Sequence, residues 1–361
     1  MTVVASMTVA AVAVALTFAF VVSSFGLAVG VATVAPLTPA GAPAATTNSS
    51  CPSLKLPTPI CHVIIIFLEN QNVSWVLHHA PFQEYLAAKY AFASQYYSVI
   101  HYSYPNYVAA TSGSETNFIH VHAKKNIVDL IRAANGTQTW MAYYEDMPVP
   151  CDNMTAPQYR IAHNPFVFYA DIWNNPSLCK PHDVNFTALY AAENTSHMPN
   201  YVFIGPNNTH SCWQSGSGEK ACDPWLRGFV SPMVNATWFK SAAIFITYDE
   251  GLRTDFSGIN GTKGGGHVYT AVVSPFACMG HNSTTQYNHY NLMTTSEWLL
   301  GLGRTGYNDS WTLHPPMYDM FCFPNGTGGV PVIWLGVSHL PATSSVSIAQ
   351  ATPRSRDAFE D

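Results

Sequence analysis

Carboxylate, amide and imidazole side chains gather where apolar runs of the sequence stop. Glu69 and Asn70 follow one such run, Asp249 and Glu250 follow a second, and residues 207–210 follow a third. Oxygen and nitrogen ligands of this kind suit Mg²⁺, Mn²⁺, Ca²⁺ or Zn²⁺. A carboxylate-rich site with such a cation suits phosphoryl transfer, because the cation neutralises phosphate oxygens and lowers the pKa of a bound hydroxyl.

A hydroxyl nucleophile would complete a site of this kind. Ser103 and Ser112 lie in a polar stretch between the first two apolar runs, and neither is part of a G-x-S-x-G motif. That motif forms the nucleophile elbow of α/β-hydrolases. An esterase of that type is therefore not indicated.

The apolar runs themselves are typical of strands buried on both faces of a sheet. Two further stretches, residues 81–92 and 292–302, have a helix-like pattern. Buried strands that alternate with helices predict an α/β sheet with covered faces. Ligands of open α/β sheets bind beyond the carboxyl ends of the strands, so the polar groups are expected to share one site. For any single group, an ordinary polar loop remains the alternative. The predicted strands are His62–Leu68, Tyr201–Gly205, Ala242–Tyr248 and residues 268–274.

The charge content is low for a soluble protein. Asp, Glu, Lys and Arg make up 10% of the 361 residues, and the formal net charge is −6. A typical domain carries about 25% charged residues. Low charge with an ordinary apolar share argues against intrinsic disorder. The absence of a basic stripe argues against nucleic acid as the main ligand.

The two ends of the chain differ from its middle. Residues 1–36 are almost wholly apolar and carry no charged side chain, which indicates a signal peptide or an N-terminal membrane anchor. Residues 37–60 resemble a Pro/Ala/Thr-rich linker, and residues 339–361 a flexible tail. A catalytic domain is expected over residues 61–338. Both interpretations of the leader place the protein outside the cell or at the cell surface.

Cysteines and glycosylation motifs indicate the same compartment. All eight cysteines lie beyond the apolar leader, which favours four disulfides. No C-x₂-C spacing supports the rival interpretation, a zinc cluster. N-linked glycans are expected from twelve N-x-S/T motifs, an unusually dense set. Pairing of neighbours in sequence is the simplest arrangement of the cysteines: 51–61, 151–179, 212–222 and 278–322.

Residues 101–113, HYSYPNYVAATSG, and residues 64–70, IIIFLEN, carry a specific resemblance. Together they resemble the phosphoesterase family of acid phosphatases and phospholipases C, within the alkaline phosphatase superfamily. Four further blocks follow in the family's order, at residues 140–151, 163–172, 223–226 with 244–251, and 264–275. The resemblance covers residues 61–305. It implies an alkaline-phosphatase-like α/β fold, a doubly wound, mostly parallel central sheet with helices on both faces.

The resemblance also assigns roles to residues one at a time. Ser103 matches the family's hydroxyl position and is implied to attack phosphorus, giving a phosphoserine intermediate. A turn serine before Pro105 is the structural alternative. Strand-end capping is the alternative for the acidic pairs. The implied metal ligands are Glu69, Asn70, Ser103, Asp249 and Glu250.

Histidines complete the implied site. His210 and His267 resemble catalytic imidazoles near the phosphate, and His163, His101 and Asn106 resemble substrate-binding groups. Structural roles remain open for each of them, a turn in the case of Asn106. His289 matches a family histidine before the late helix, with no assigned role.

A second metal site would use Asn208, His210 and His267. The family usually has an aspartate where this chain has Asn208, and a neutral amide is a weaker ligand for a divalent cation. Asn207 also begins an N-x-T motif at the site, and we predict that it carries no glycan.

The favoured interpretation is an exported, metal-dependent acid phosphatase that hydrolyses phosphate monoesters. Its partners would be a small phosphate ester or a phospholipid head group, and the membrane if the leader is retained. One alternative is a phospholipase C or another phosphodiesterase. The other is a non-catalytic cell-surface glycoprotein on the same scaffold.

Overall fold

A computed structural model describes residues 54, 56–116, 119–134, 138–193, 198–213 and 218–324. The predicted leader, most of the linker, the tail and Cys51 lie outside the described residues, as do the sequons at Asn48, Asn135, Asn194 and Asn325. No helix within the described ranges is long and apolar enough to cross a membrane.

The core is a single eight-stranded sheet, with a separate two-stranded ribbon of β3 and β10. In spatial order the sheet reads β5-β4-β6-β1-β7-β8-β2-β9. All its pairings are parallel except those of β8 with β7 and β2. The mostly parallel sheet confirms the predicted fold class. The strands within the described residues are β1 His62–Leu68, β2 Ala91–Ala93, β3 Tyr96–Tyr97, β4 Trp140–Tyr144, β5 Asp183–Asn185, β6 Tyr201–Gly205, β7 Ala242–Tyr248, β8 Thr270–Val273, β9 Asn282–Ser283 and β10 Tyr287–Asn288.

Three central strands are buried along their whole length. Every residue of β1, β6 and β7 is inaccessible to solvent, although successive side chains of a strand point to opposite faces. Both faces of the sheet are therefore covered, as the continuous apolar runs predict. The described helices are α1 Val73–His79, α2 Pro81–Lys89, α3 Ser103–Ser112, α4 Ile127–Ala133, α5 Ala170–Trp173, α6 Pro176–Cys179, α7 Phe186–Glu193, α8 Gly218–Asn235 and α9 His289–Leu300.

Strand boundaries follow the sequence more closely than helix boundaries. The predictions for β1, β6 and β7 are confirmed to the residue, and β8 is shorter than predicted. The predicted helix over residues 81–92 is wrong at its end, because α2 stops at Lys89 and β2 begins at Ala91. Ala91 and Phe92 pair with β8, and this strand pairing outweighs the local helical pattern.

The helix predicted over residues 292–302 is α9, displaced toward the N-terminus. It begins after Asn288, whose side chain accepts hydrogen bonds from the backbone N–H groups of Tyr290 (3.0 Å) and Asn291 (3.4 Å). It ends before Gly301, which adopts a left-handed conformation with φ +61°. The structure thus places His289, the first residue of α9, directly beneath the sheet edge that carries the site.

Three of the four predicted disulfides are confirmed. Cys151 pairs with Cys179, Cys212 with Cys222, and Cys278 with Cys322. The fourth prediction involves Cys51, which lies outside the described residues.

Candidate active site

The two acidic pairs meet because their strands are parallel neighbours. In the register of β1 and β7, Leu68 lies opposite Tyr248, so the residues that follow them emerge at one level. The backbone N–H of Asp249 donates to the carbonyl of Leu68 at 2.8 Å. Glu69 and Asp249 therefore lie side by side at the carboxyl edge of the sheet.

Ser103 is the hydroxyl that faces these carboxylates. Its Oγ lies 3.2 Å from Oε1 of Glu250 and 3.4 Å from Oε2 of Glu69, within donating distance of both. The carboxylates are buried, whereas Ser103 is partly exposed. The hydroxyl thus stands between the acids and solvent, where a substrate can reach it.

Asn106 holds the loop that presents Ser103. Its Oδ1 accepts hydrogen bonds from the backbone N–H groups of Val99 (3.0 Å) and Ile100 (3.2 Å). Its Nδ2 donates to the carbonyls of Ile100 (2.5 Å) and Tyr102 (2.9 Å). These bonds use the buried amide for the turn, the structural alternative, and not for the predicted contact with phosphate.

A glycine run packs directly against the same loop. A Cβ atom on Gly265 would lie 2.2 Å from the carbonyl oxygen of Ile100, closer than any side chain can sit. The backbone N–H of Gly265 donates to the carbonyl of Ser98 at 3.1 Å. This close approach explains why residues 264–266 carry no side chains.

The electrostatics of the acidic cluster are unbalanced. Burial, together with the charge of Glu250, raises the pKa of Glu69 to about 8. Burial and the charges of Glu69 and Glu250 raise the pKa of Asp249 well above its usual range. Burial and mutual repulsion thus favour the protonated forms of these acids, and a cation bound between them would favour the ionised forms.

Unpaired oxygens at the same place fit a divalent cation. Asn70 donates from Nδ2 to Oε1 of Glu250 at 2.7 Å, which leaves its Oδ1 free. Among the described residues, Oδ1 of Asn70 and Oδ2 of Asp249 are buried and have no hydrogen-bond partner. Buried polar atoms are normally paired, so these two oxygens mark a place for a ligand. Hard oxygen donors of this type suit Mg²⁺, Mn²⁺, Ca²⁺ or Zn²⁺.

His101 braces the acidic cluster. Its Nδ1 is hydrogen-bonded to Oε2 of Glu250, and its Nε2 donates to the carbonyl of Asp255 at 2.8 Å. Burial by itself lowers the pKa of His101, but the bonds with Glu250 and Asp255 outweigh it, and the pKa is raised. Both ring nitrogens are thus engaged with protein groups, which favours orientation of Glu250 over the predicted contact with substrate.

His163 reaches the cluster from the other side. Its Nε2 lies 3.3 Å from Oε1 of Glu69, and its side chain is partly exposed. Burial and the nearby charge of Arg160 lower the pKa of His163 to about 3, so the ring is neutral above that pH. His163 therefore lies at the acidic cluster beside Glu69, and its contact with substrate stays a prediction.

Two supporting residues have no assigned role from sequence. Tyr107 donates from its hydroxyl to Oε1 of Glu69. His289 donates from Nε2 to the carbonyl of Asp249 at 2.6 Å and pairs through Nδ1 with the hydroxyl of Tyr96 at 3.1 Å. Burial lowers the pKa of His289 to about 4, which keeps the ring neutral. A spacing of four between Ser103 and Tyr107 was the available signal, because it places both on one face of a helix.

The predicted second metal set is not brought together. Asn208 donates from Nδ2 to the carbonyl of Pro157 at 3.1 Å, and His267 donates from Nε2 to that of Ser94 at 2.8 Å. His210 instead pairs with Glu145, whose two oxygens both lie 2.9 Å from Nδ1. Asn208 and His210 both follow β6 but bind different groups, and His267 lies on the separate segment that leads into β8.

Around His210 lies another group of polar residues, at the ends of β4 and β6. Asn207 donates from Nδ2 to Oδ2 of Asp146 at 2.6 Å and from its backbone N–H to Oε2 of Glu145 at 3.1 Å. The ring of His210 stacks on Trp225 at 5.2 Å. The engaged and buried amide of Asn207 supports the prediction that this residue carries no glycan.

Sequence comparison identifies a protein family and several relatives of this chain. The phosphoesterase family profile matches residues 67–302. A phosphatidylinositol-3-phosphatase of Mycobacterium tuberculosis is 27% identical over 275 residues, which cover 74% of this chain and 84% of that protein. An acid phosphatase of Aspergillus fumigatus is 27% identical over 254 residues, 65% of this chain and 52% of that protein. The match thus spans about half the length of the fungal relative.

Structural comparison agrees on the fold. A protein of the alkaline phosphatase superfamily from Vibrio parahaemolyticus superposes with a TM-score of 0.50 at 13% identity. The superposition covers 70% of this chain and 71% of that chain. This similarity confirms the predicted alkaline-phosphatase-like architecture.

Proposed function

The chain belongs to the phosphoesterase family, and from this premise we propose that it is an acid phosphatase that hydrolyses phosphate monoesters with the help of a divalent cation. The phosphatase names of its relatives support hydrolysis of phosphoric esters. The observation that carries the proposal is the Ser103 hydroxyl, which faces two buried carboxylates at 3.2 and 3.4 Å.

The proposed metal ligands are Glu69, Asn70, Ser103, Asp249 and Glu250. When bound, a divalent cation would neutralise phosphate oxygens and lower the pKa of the hydroxyl that it contacts. The unpaired oxygens of Asn70 and Asp249 support this assignment. The cation can be Mg²⁺, Mn²⁺, Ca²⁺ or Zn²⁺, because oxygen donors bind all four ions.

Two displacements at phosphorus would complete the reaction. In the first, Ser103 Oγ forms a bond to phosphorus, the bond to the ester oxygen breaks, and the serine proton passes by way of the carboxylates to the departing alcohol. In the second, water attacks the phosphoserine, which releases phosphate and returns a proton to Ser103. The net reaction consumes one water for each ester bond. Buried groups fixed in place would supply most of the rate enhancement by positioning and electrostatics.

The first test removes the nucleophile. We expect Ser103→Ala to lower turnover of p-nitrophenyl phosphate by more than about 10³-fold, because among the described residues only the Ser103 hydroxyl contacts both Glu69 and Glu250. Ser112→Ala is the matched control, since Ser112 lies on the same helix and donates to the carbonyl of Val108 at 2.7 Å. Acid quenching followed by mass spectrometry should find phosphate on Ser103 only in the wild type. Wild-type turnover by folded Ser103→Ala would refute the assignment.

A phospholipid head group is the second candidate substrate. Tyr102 and Phe256 are 52% and 55% exposed. Tyr102 precedes the proposed nucleophile, and the ring of Phe256 lies edge-on to His101 at 5.0 Å. Exposed aromatic rings beside a phosphate site suit the apolar part of a lipid. The name of the mycobacterial relative also supports a lipid phosphate.

The products distinguish the remaining activities. Vesicles that contain phosphatidylinositol 3-phosphate should release inorganic phosphate if the protein is a lipid phosphatase. Release of diacylglycerol from phosphatidylcholine vesicles would instead identify a phospholipase C. Turnover of soluble esters alone would limit the substrate to small phosphate monoesters.

Export and glycosylation complete the proposal. The three described disulfides support an extracellular or cell-surface protein. Exposed sequons such as Asn153, Asn235 and Asn308 are suitable glycan acceptors. The assembly of Ser103 with the carboxylates argues against the non-catalytic alternative. Membrane attachment depends on the leader, which lies outside the described residues.

A further inference from the structure

Tyr107 lies beneath the candidate site, one helical turn after Ser103 on α3. It is buried, and its hydroxyl donates to Oε1 of Glu69. Ser103 faces the other oxygen of the same carboxylate, Oε2, at 3.4 Å. The two residues of one helix face thus contact the two oxygens of one acid.

The tyrosine ring has little freedom to move. Phe67 packs edge-on against it with ring centroids 4.8 Å apart. His163 stacks on it nearly parallel, with centroids 5.5 Å apart and planes inclined by 4°. Nε2 of the same histidine lies 3.3 Å from Oε1 of Glu69. Tyr107 and His163 therefore approach a single oxygen together.

We propose that Tyr107 is a positioning residue that, with His163, saturates Oε1 of Glu69 and leaves Oε2 as the only oxygen of this acid available to a cation and to Ser103. The inference rests on the proposed phosphatase function. A carboxylate with one oxygen bound by the buried Tyr107 hydroxyl and approached by His163 presents the other oxygen in a fixed direction. Glu69 would accordingly bind the cation through one oxygen.

The expected loss of cation affinity follows from the role of hydrogen-bond donors that support a metal ligand. Removing a hydrogen-bond partner of a metal ligand typically weakens metal binding by about 10–100-fold. The hydroxyl of Tyr107 contacts Glu69 and lies away from solvent, so its loss should act on the site through that carboxylate. A purely structural tyrosine would leave the affinity for a cation unchanged in folded protein.

The test is the affinity of Tyr107→Phe for Mn²⁺ alone, measured by electron paramagnetic resonance of the free ion. We expect binding to weaken by about 10–100-fold. Tyr104→Phe is the matched control, because Tyr104 is a buried tyrosine of the same helix whose hydroxyl pairs with Nε2 of His122 at 3.2 Å. Its affinity should stay within about twofold of the wild-type value. An affinity of folded Tyr107→Phe within that range would overturn the inference.

A second variant keeps the inference testable if Tyr107→Phe does not fold. His163→Phe preserves a stacked ring and removes the other group beside Oε1, so it should also weaken Mn²⁺ binding by several-fold, about 10-fold. Unchanged binding in this variant would overturn the idea that Oε1 is saturated. At saturating Mn²⁺, Tyr107→Phe should lower kcat for p-nitrophenyl phosphate more than it raises KM.

Failure of this inference differs from failure of the proposed function. A wild-type protein that binds Mn²⁺ and hydrolyses the ester, with a Tyr107→Phe variant of equal affinity, would refute only the role of Tyr107. A folded wild-type protein that neither binds the cation nor hydrolyses the ester would refute the proposed function, and the inference with it.

Discussion

Two polar clusters lie at the same edge of the sheet, and they differ in how fully their atoms are paired. The Ser103 cluster, at the ends of β1 and β7, leaves Oδ1 of Asn70 and Oδ2 of Asp249 buried without a partner. In the His210 cluster, at the ends of β4 and β6, the histidine pairs with Glu145 at 2.9 Å. The Ser103 cluster comprises Ser103, Glu69, Asn70, Asp249 and Glu250, and the His210 cluster comprises His210, Glu145, Asp146 and Asn207.

The contrast shows that composition does not identify a ligand site. Both clusters combine acids with an amide and follow buried parallel strands. In the His210 cluster, the amide of Asn207 donates to Oδ2 of Asp146 at 2.6 Å and so connects the loops after β4 and β6. The other concentrates three desolvated carboxylates, with His101 paired to Glu250 and Oδ2 of Asp249 left without a hydrogen-bond partner. Incomplete pairing, and not the mere presence of acids, points to the place where a cation and a phosphate would bind.

Removing one acid from each cluster gives the largest expected difference. Asp249→Asn should lower kcat/KM by more than about 100-fold and release the cation, because a proposed ligand loses its charge. Glu145→Gln should change kcat/KM by less than about 10-fold, since its contacts position loops. Elemental analysis of the purified variants measures the metal, and p-nitrophenyl phosphate measures turnover. Equal loss of metal in both would show that the His210 cluster is also a ligand site.

Removal of the cation should make stability depend on pH. The pKa of Glu69 is raised from 4.5 to about 8, mainly by burial. Protonated Glu69 stabilises the fold fully below pH 4.5, and this contribution is lost as the pH rises through 8. The Tm of EDTA-treated protein should therefore fall over that interval by roughly several degrees. Added Mn²⁺ should restore it at pH 8, and a Tm that rises in EDTA over the same interval would contradict this account.

A buried acid outside both clusters tests whether a raised pKa alone marks a site. Burial, with Asp309 beside it, raises the pKa of Glu297 to about 10. Above pH 4.5, Glu297 ionises in the unfolded protein while it stays protonated in the folded protein. The free energy of unfolding therefore falls progressively as the pH rises above 4.5. Glu297→Gln, which mimics the neutral acid, should raise the free energy of unfolding by about 1–3 kcal/mol at pH 7, with no gain at pH 4.

Urea unfolding at the two pH values measures this smallest effect. Glu84→Gln, at an exposed position of α2, is the matched control and should be neutral at both. Turnover and metal content should stay at wild-type values in both variants. A gain in the free energy of unfolding at pH 4 as large as that at pH 7 would mean that Glu297→Gln acts through packing and not through ionisation.

The fold was largely accessible from the sequence where burial was complete. The runs of β1, β6 and β7 are almost wholly apolar because both faces of those strands are covered. The end of α2 was not accessible, because Ala91 turns into a strand only through its pairing with Val272 of β8. Local periodicity carries no record of a partner so far along the chain.

The candidate site divides in the same way. Its acids and serine were accessible as residues at strand ends and in a family motif, and the structure brings them together. The hydrogen bonds of Asn106 within its own loop were not accessible, because the sequence does not distinguish an amide that binds phosphate from one that binds backbone groups. The role of Tyr107 was not accessible either, because it depends on which oxygen of Glu69 the tyrosine hydroxyl contacts.

The kinds of groups, the buried strands and the edge of the sheet at which these groups emerge follow from the sequence alone. Which of the groups share a centre depends on the tertiary structure. Register places Asp249 beside Glu69, whereas the separate ends of β4 and β6 give His210 to Glu145. The physical reason is that side-chain type follows from local sequence, but pairing and desolvation depend on contacts between segments far apart in the chain.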